Sequence, residues 1–332
     1  MAAGDVHEVR IADSDTWFPA LEGERILRAA QRAGVWLPFE CGWGSCGTCK
    51  VVLLEGAVSA LFDDAPSASP RDARRGRILV CQSSATTDLV IKPSWVSGEP
   101  RPEFDTDSCA AVLVEEEDLG PDIRRFRFRL DRAIGYREGQ HAILDLGAGL
   151  RRCYSMANLS GSADVDFIAK RYDGRPGSER LFSLGKGAEI SIEVPYGEMW
   201  VRGSERPLCL VAGGTGVAPI LGMLRGLVAT SDPRPTHVFF GANTRDELVC
   251  WADLVGLAGE LHDGRVTGAL VRPGPGWDGA RGFVTDALAP ALPDLTSATF
   301  YLAGPPVMTD AVLALLKESG VQLDRIHYDS FG

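Results

Sequence analysis

A multidomain α+β protein is what this sequence predicts, on three observations. Three of its eight cysteines crowd between positions 41 and 49, and a fourth follows at position 81. The middle of the chain alternates polar and apolar residues strictly, as antiparallel strands with one wet face do. Beyond Pro207, strand-like runs alternate with helix-like stretches, which predicts a parallel sheet with helices on both sides. The 332 residues fit two or three such domains at roughly 100–200 residues each.

Composition narrows the function. Hydrophobic residues make up 45% and charged residues 24%, a globular balance that excludes a disordered or fibrous chain. The 34 basic against 45 acidic residues leave a net charge of −11, which argues against a nucleic-acid binder. The longest uncharged apolar stretch, residues 208–224, contains four turn-forming residues at 213–216 and Pro219. It reads as strand, turn and helix start, not as a membrane span. The first fifteen residues are acidic, with no basic n-region and no apolar core, so no signal peptide is expected. A cytoplasmic location follows as an expectation.

The first segment is defined by its thiols. In a reducing compartment, clustered cysteines are metal ligands sooner than disulfides. Cys41, Cys46 and Cys49 followed by a distant Cys81 have the C-x4-C-x2-C…C spacing of a plant-type [2Fe–2S] site. Gly42, Gly44 and Gly47 supply the backbone freedom to curl a loop around a small anionic cluster. Zinc is the rival, but it needs a second C-x2-C knuckle or histidines, and neither lies near Cys81. Residues 22–34 predict a short amphipathic helix, with Ile26, Leu27, Ala30 and Ala33 on one side and Gly34 as its stop. Residues 51–54 and 88–91 read as strands. A first domain of residues 1–95 results, followed by a Pro/Gly/Ser-rich linker, 96–104. By these motifs it resembles a plant-type ferredoxin of the β-grasp fold. Arg71, Arg74, Arg75 and Arg77, just before Cys81, read either as a solvated loop or as a patch that steers an acidic partner.

In the second segment, 105–204, residues 124–130 and 188–194 are the clearest alternating strands. Residues 152–155 read Arg-Cys-Tyr-Ser. In an extended strand Arg152 and Tyr154 share a face, and Cys153 takes the other. A guanidinium that can fork onto phosphate then sits beside an aromatic ring, with the Ser155 hydroxyl next to it. Gly139-Gln140-His141 upstream, and Lys170, Gly177, Ser178 and 195–197 downstream, complete an order that resembles the FAD domain of the ferredoxin–NADP reductase superfamily. The resemblance implies a six-stranded antiparallel FAD-binding β-barrel. It implies FAD contacts from Arg152, Tyr154, Ser155, Lys170, Gly177 and Ser178.

The third segment, 205–332, has strand-like runs at 208–212, 236–240 and 299–302. The first enters Gly213-Gly214-Thr215-Gly216 and then Pro219. Glycines there let backbone N–H groups approach a pyrophosphate at a helix start. Set in this context, the turn resembles the NAD-binding turn of the same superfamily. Gly304 and Pro305 lie in the family's later G-P turn, where Ala303 replaces a usual cysteine. Asp246, with Glu247 beside it, would repel the 2′-phosphate that Arg245 could pair, so NADH is the expected dinucleotide, by analogy with the acidic residue of Rossmann sites. Relatives place a C-terminal aromatic near the flavin ring. Phe331 is the candidate here and Tyr328 the second. Cys153 and Cys209 are expected in the core. His7, His141, His237, His262 and His327 share no spacing, so no further metal site is expected.

Taken in order, the three segments resemble the reductase components of bacterial multicomponent oxygenases over essentially the whole chain. That resemblance implies an enzyme with cofactor-borne chemistry and no catalytic side-chain set of its own, Ser155 and Phe331 lying near the flavin. Electrons would pass from NADH to FAD, to [2Fe–2S], and out to a terminal oxygenase or an intermediary ferredoxin. An aromatic-ring-hydroxylating Rieske dioxygenase is the first expectation. A soluble diiron monooxygenase or a sugar-deoxygenation enzyme would use the same modules. A redox sensor or electron carrier without NADH turnover, and a zinc scaffold, are the rivals of another class. No nucleic-acid or membrane partner is expected.

Overall fold

A computed structural model describes residues 5–62, 65–93, 103–147 and 149–329. The chain forms two compact units that divide between Thr106 and Asp107.

The first unit runs β1 (Val6–Ile11), β2 (Trp17–Leu21), α1 (Ile26–Arg32), β3 (Lys50–Glu55), β4 (Val58–Ala60), α2 (Pro70–Arg74), β5 (Arg77–Leu79), β6 (Ser83–Ala85) and β7 (Leu89–Pro93). Its sheet has the order β2-β1-β7-β3-β5. The β1–β7 pair is parallel and the others are antiparallel. This is the β-grasp arrangement, and α1 buries Ile26, Leu27, Ala29 and Ala30. The helix starts later than residue 22, the expected position. Leu21 still pairs with Val6 in the sheet, Gly23 turns the chain at φ +83°, and Arg25 is extended. Ala33, expected on the apolar side, is exposed, and Ala29 takes its place. Gly34, at φ +69°, does end the helix. Most of the expected linker 96–104, namely residues 96–102, lies outside the described residues. Thr106 belongs with the first unit, where its carbonyl accepts from Arg28 Nη1 at 2.7 Å.

The second unit contains two sheets. β8 (Asp107–Gly120), β9 (Ile123–Leu130), β10 (His141–Asp145), β11 (Arg151–Ser155), β12 (Asp164–Lys170) and β13 (Glu189–Tyr196) form an antiparallel sheet in the order β11-β10-β13-β8-β9-β12. A bridge between Met156 and Phe167 joins its two edges and closes the barrel. Closure leaves no unpaired edge. Phe126, Phe128, Tyr136 and Phe167 fill the inside. The alternate residues of β9, Arg125, Arg127 and Arg129, point outward and pair with Glu117, Asp166 and Asp164 on the neighbouring strands. These opposite-charge pairs tie β9 to its neighbours on the wet face. α3 (Pro176–Phe182) precedes β13.

The parallel sheet contains β14 (Leu208–Gly213), α4 (Val217–Ala229), β15 (Thr236–Ala242), α5 (Trp251–Glu260), β16 (Gly264–Leu270), β17 (Ala280–Arg281), α6 (Val284–Leu288), α7 (Leu292–Leu295), β18 (Thr299–Ala303), α8 (Pro306–Glu318) and β19 (Ile326–Tyr328). The strand order is β17-β16-β15-β14-β18-β19. Leu208, Leu210 and Ala212 of β14 face one core with α4 and α5. Cys209 and Val211 face a second core with α6 and α8. Both faces are therefore covered, as the uninterrupted apolar strands require. The α4 core also takes in Ile123, Ile168 and Met199 from the barrel side. This shared packing between the barrel and the parallel sheet explains why residues 107–331 form a single unit.

Candidate functional site

The loop between α1 and β3 carries three of the four predicted thiols. Gly42, Gly44 and Gly47 all adopt left-handed conformations, so the loop coils back on itself. At Gly44 a Cβ would come within 3.0 Å of Ala65 and 3.1 Å of Gln82, leaving no space for a side chain. The curl sets the thiols in two pairs. Cys49 and Cys81 have their sulfurs 3.1 Å apart and are buried. Cys41 and Cys46 hydrogen-bond to one another. That bond pulls the Cys41 thiol down to about 7, helped by backbone N–H groups of Cys46, Trp43 and Ser45 and opposed by burial. The Trp43 N–H lies 3.3 Å from the Cys41 sulfur.

The pairing tests which metal fits. A structural zinc would need four donors around one point. Two irons that each take two thiolates need two pairs. The donor set fits a two-iron cluster, and the N–H groups around Cys41 suit an anionic one.

The second site is a cavity of about 710 Å³ between the barrel and the parallel sheet of the second unit. Tyr154, Ser155 and Lys170 line its barrel wall. Gly214, Thr215 and Gly216 line the opposite wall, with Gly304 and Pro305. Residues far apart in the chain thus meet as the motifs required. Gly214–Gly216 is a single 3₁₀ turn leading straight into α4. A Cβ at Gly216 would strike the Ala303 carbonyl, so the β14 and β18 turns touch backbone to backbone. Gly213 is buried behind them, where a Cβ would strike Met308. Tyr154 packs on Phe167, with ring centroids 6.4 Å apart, and burial pushes its phenol pKa up. The Lys170 ammonium lies 5.9 Å from the Tyr172 ring.

Arg152, Gly177 and Ser178 form a separate group that does not line this cavity. A Cβ at Gly177 would collide with the Arg152 guanidinium. The start of α3 and β11 are therefore held together by the absence of a side chain. The Ser178 hydroxyl accepts from Tyr172 N–H at 3.1 Å and donates to Arg175 O at 3.1 Å.

Some expectations need correction. Asp246 is exposed and does not line the cavity, whereas Glu247 does. Both belong to one 3₁₀ turn, Arg245–Glu247, and the turn presents only its last residue. The Glu247 carboxylate is held by Asn243, accepting from its backbone N–H at 3.0 Å and its side-chain amide at 2.9 Å. Cys153 is not a core residue but lines the cavity, because the end of β11 rims it. Cys209 is fully buried, as expected. Phe331 lies outside the described residues. Tyr328 is 42% exposed and is not on the cavity wall. Its neighbour Asp329 is on the wall, with Oδ2 3.5 Å from Nδ1 of the fully buried His141. Sequence reasoning missed Asp329, and its closeness to the expected C-terminal aromatic was the one available signal. Phe283, Val284 and Thr285, also on the wall, carried no motif.

Sequence profiles of three domain families match in succession. They are the 2Fe-2S iron–sulfur cluster binding domain over residues 9–86, the oxidoreductase FAD-binding domain over 110–200, and the oxidoreductase NAD-binding domain over 210–313. A chain that joins a hydride-accepting flavin domain to a one-electron cluster domain is an iron–sulfur flavoprotein oxidoreductase. The ferredoxin–NAD(+) reductase component of an alkene monooxygenase system from Xanthobacter autotrophicus is 38% identical over 95% of this chain and 97% of its own. A ferredoxin–NAD(P)(+) reductase from Metapseudomonas resinovorans is 33% identical over 93% and 95%. The solved ferredoxin reductase in carbazole 1,9a-dioxygenase superposes with a TM-score of 0.88 at 30% identity, covering 99% of each chain. The protein belongs to this family of [2Fe–2S] ferredoxin–NAD(P)(+) reductases, and two of the three relatives named here are described as parts of an oxygenase system. Among the described residues, no helix is long and apolar enough to cross a membrane.

Proposed function

We propose that this protein is the NADH-oxidising reductase component of a multicomponent oxygenase. The observation that carries the reading is the shared cavity, in which the Tyr154–Ser155 wall faces the Gly214–Gly216 turn. A flavin ring on one wall and a nicotinamide on the other would meet there. When bound, FAD takes a hydride from NADH and hands electrons singly to the [2Fe–2S] cluster. The protein's own residues bind and orient. Tyr154 backs the flavin ring, and Ser155 offers its polar edge a hydrogen bond. Lys170 adds a positive charge at the cavity wall, and Phe331 is the proposed aromatic beside the ring. Arg152 pairs the pyrophosphate beside Gly177 and Ser178. The Gly213–Gly216 backbone and the start of α4 hold the NADH pyrophosphate, with Gly304 and Pro305 closing the turn. Glu247, not Asp246, reads the adenosine ribose. Cys41, Cys46, Cys49 and Cys81 would hold the [2Fe–2S] cluster, their thiols set in two pairs.

The proposed domains are a ferredoxin domain over 1–95, a linker over 96–104, an FAD domain over 105–204 and an NAD domain over 205–332. A cytoplasmic setting, where thiols stay reduced, suits the cluster. The electron acceptor is an oxygenase component or an intermediary ferredoxin. An aromatic-ring dioxygenase is supported by the likeness to the carbazole dioxygenase reductase. A monooxygenase is the second reading, favoured by the 38% identity to the alkene monooxygenase reductase.

Anaerobic titration of the purified protein with NADH tests the proposal. Visible flavin and iron–sulfur absorbance should bleach together, and cytochrome c should then be reduced catalytically. A sensor or simple carrier would bleach without sustained turnover. A colourless protein would remove the cluster.

A further inference from the structure

We infer that the arginines of α2 and of its C-terminal cap form the docking face through which the cluster delivers electrons to an acidic acceptor protein. This rests on the reductase reading above. Residues 65–79 contain four arginines and one aspartate, in a chain of net charge −11. Arg71, Arg74 and Arg75 are exposed. Among the described residues, none of the three has an ion-pair partner.

Their position is set from both sides. Ahead of α2, the Ser67 backbone N–H and hydroxyl both donate to the carbonyl of Gly44 in the cluster loop, at 2.9 and 2.6 Å. Behind α2, β5 pairs with β3, Leu79 opposite Lys50, and runs on to Cys81. Within α2, Asp72 accepts from the Lys50 ammonium at 3.0 Å. Lys50 follows the cluster cysteine Cys49 directly, and its Nζ is 3.4 Å from where a Cβ on Gly47 would lie. The helix is therefore clamped to the loop that carries Cys41, Cys46 and Cys49. Asp72 is engaged by Lys50 and Ser69, so it does not cancel the arginines. Cys46 in the same loop is exposed, so the metal site reaches the surface beside them. A solvated loop would need neither the clamp nor three exposed arginines that, among the described residues, have no ion-pair partner. An acidic protein surface docking on these arginines would bring its own redox centre close to the cluster and would associate faster at low salt.

The test uses the intact holoprotein with excess NADH and three acceptors: the acidic cytochrome b5 haem domain, basic cytochrome c, and ferricyanide. Arg71→Glu, Arg74→Glu and Arg75→Glu are introduced together. At low ionic strength, cytochrome b5 reduction should fall about tenfold and lose most of its salt dependence. Cytochrome c reduction should rise, and ferricyanide reduction should stay as it was. An unchanged salt slope for cytochrome b5 overturns the docking face. So does a wild-type protein that reduces cytochrome c but not cytochrome b5. If the wild type reduces none of the three, the reductase reading fails and the docking face falls with it.

Discussion

Asp246 and Glu247 are adjacent acids, and only one reaches the cavity. Both would repel a 2′-phosphate on sequence grounds. The 3₁₀ turn exposes the first and aims the second inward, where Asn243 holds it by two hydrogen bonds. Replacing Glu247 with Gln removes the charge with little change in shape, whereas Asp246→Asn changes only a solvated side chain. In the Glu247→Gln protein the kcat/KM ratio of NADPH to NADH should rise about tenfold, an electrostatic gain of about 1.4 kcal/mol. The Asp246→Asn protein should keep the wild-type ratio. Steady-state kinetics with both dinucleotides decides it, and the reverse pattern would return the role to Asp246. The cysteines make the same point. Their identity and spacing indicate a cluster, but the division into two pairs appears only once the loop has coiled.

At the scale of elements, the barrel links packing to the flavin wall. Phe167 is fully buried in β12, makes an edge contact with Phe128 at 6.1 Å, and supports Tyr154 from behind. It also forms the bridge to Met156 that closes the barrel. Phe167→Ala should cost about 3–5 kcal/mol of stability. The loss of support under Tyr154 should also weaken FAD retention. Thermal unfolding and the flavin content after gel filtration measure the two effects. A variant that shows this destabilisation yet keeps its flavin would separate the ring support from the core. Strand patterns were easy to read because a two-residue alternation survives any tertiary arrangement, and β9 follows it from Phe126 to Leu130. The start of α1 was harder. A helical period cannot show that Leu21 is already committed to the sheet and that Gly23 turns the chain.

For the whole molecule, paired carboxylates set the response to acid. The Asp72 carboxyl is held at about 2, by the Ser69 hydroxyl and then the Lys50 ammonium. Arg129 lowers Asp164, and Arg234 lowers Asp232. Their folded pKa values lie below the unfolded value of about 3.9, so their stabilisation is complete above that pH and is lost as pH falls toward about 2. Burial lowers the pKa of His237 and His327. The unfolded chain then takes up their protons first, and stability begins to decline below about pH 6.5. Melting temperature measured across this range should fall gently below about pH 6.5 and steeply below about pH 4. A constant value from neutral pH down to about pH 3 would show that these groups do not control stability.

Local chemistry alone determined the three modules, the cluster spacing, the parallel and antiparallel character of the sheets, and most of the cofactor motifs. Those depend on neighbours a few residues apart, and short-range geometry constrains them tightly. Only the tertiary structure decided that the second and third segments share one core, that Glu247 and Asp329 face the cavity, and that Cys153 leaves the interior to line it. Each of those outcomes depends on which surfaces meet between segments far apart in the chain, and long-range packing is invisible to any local period or spacing.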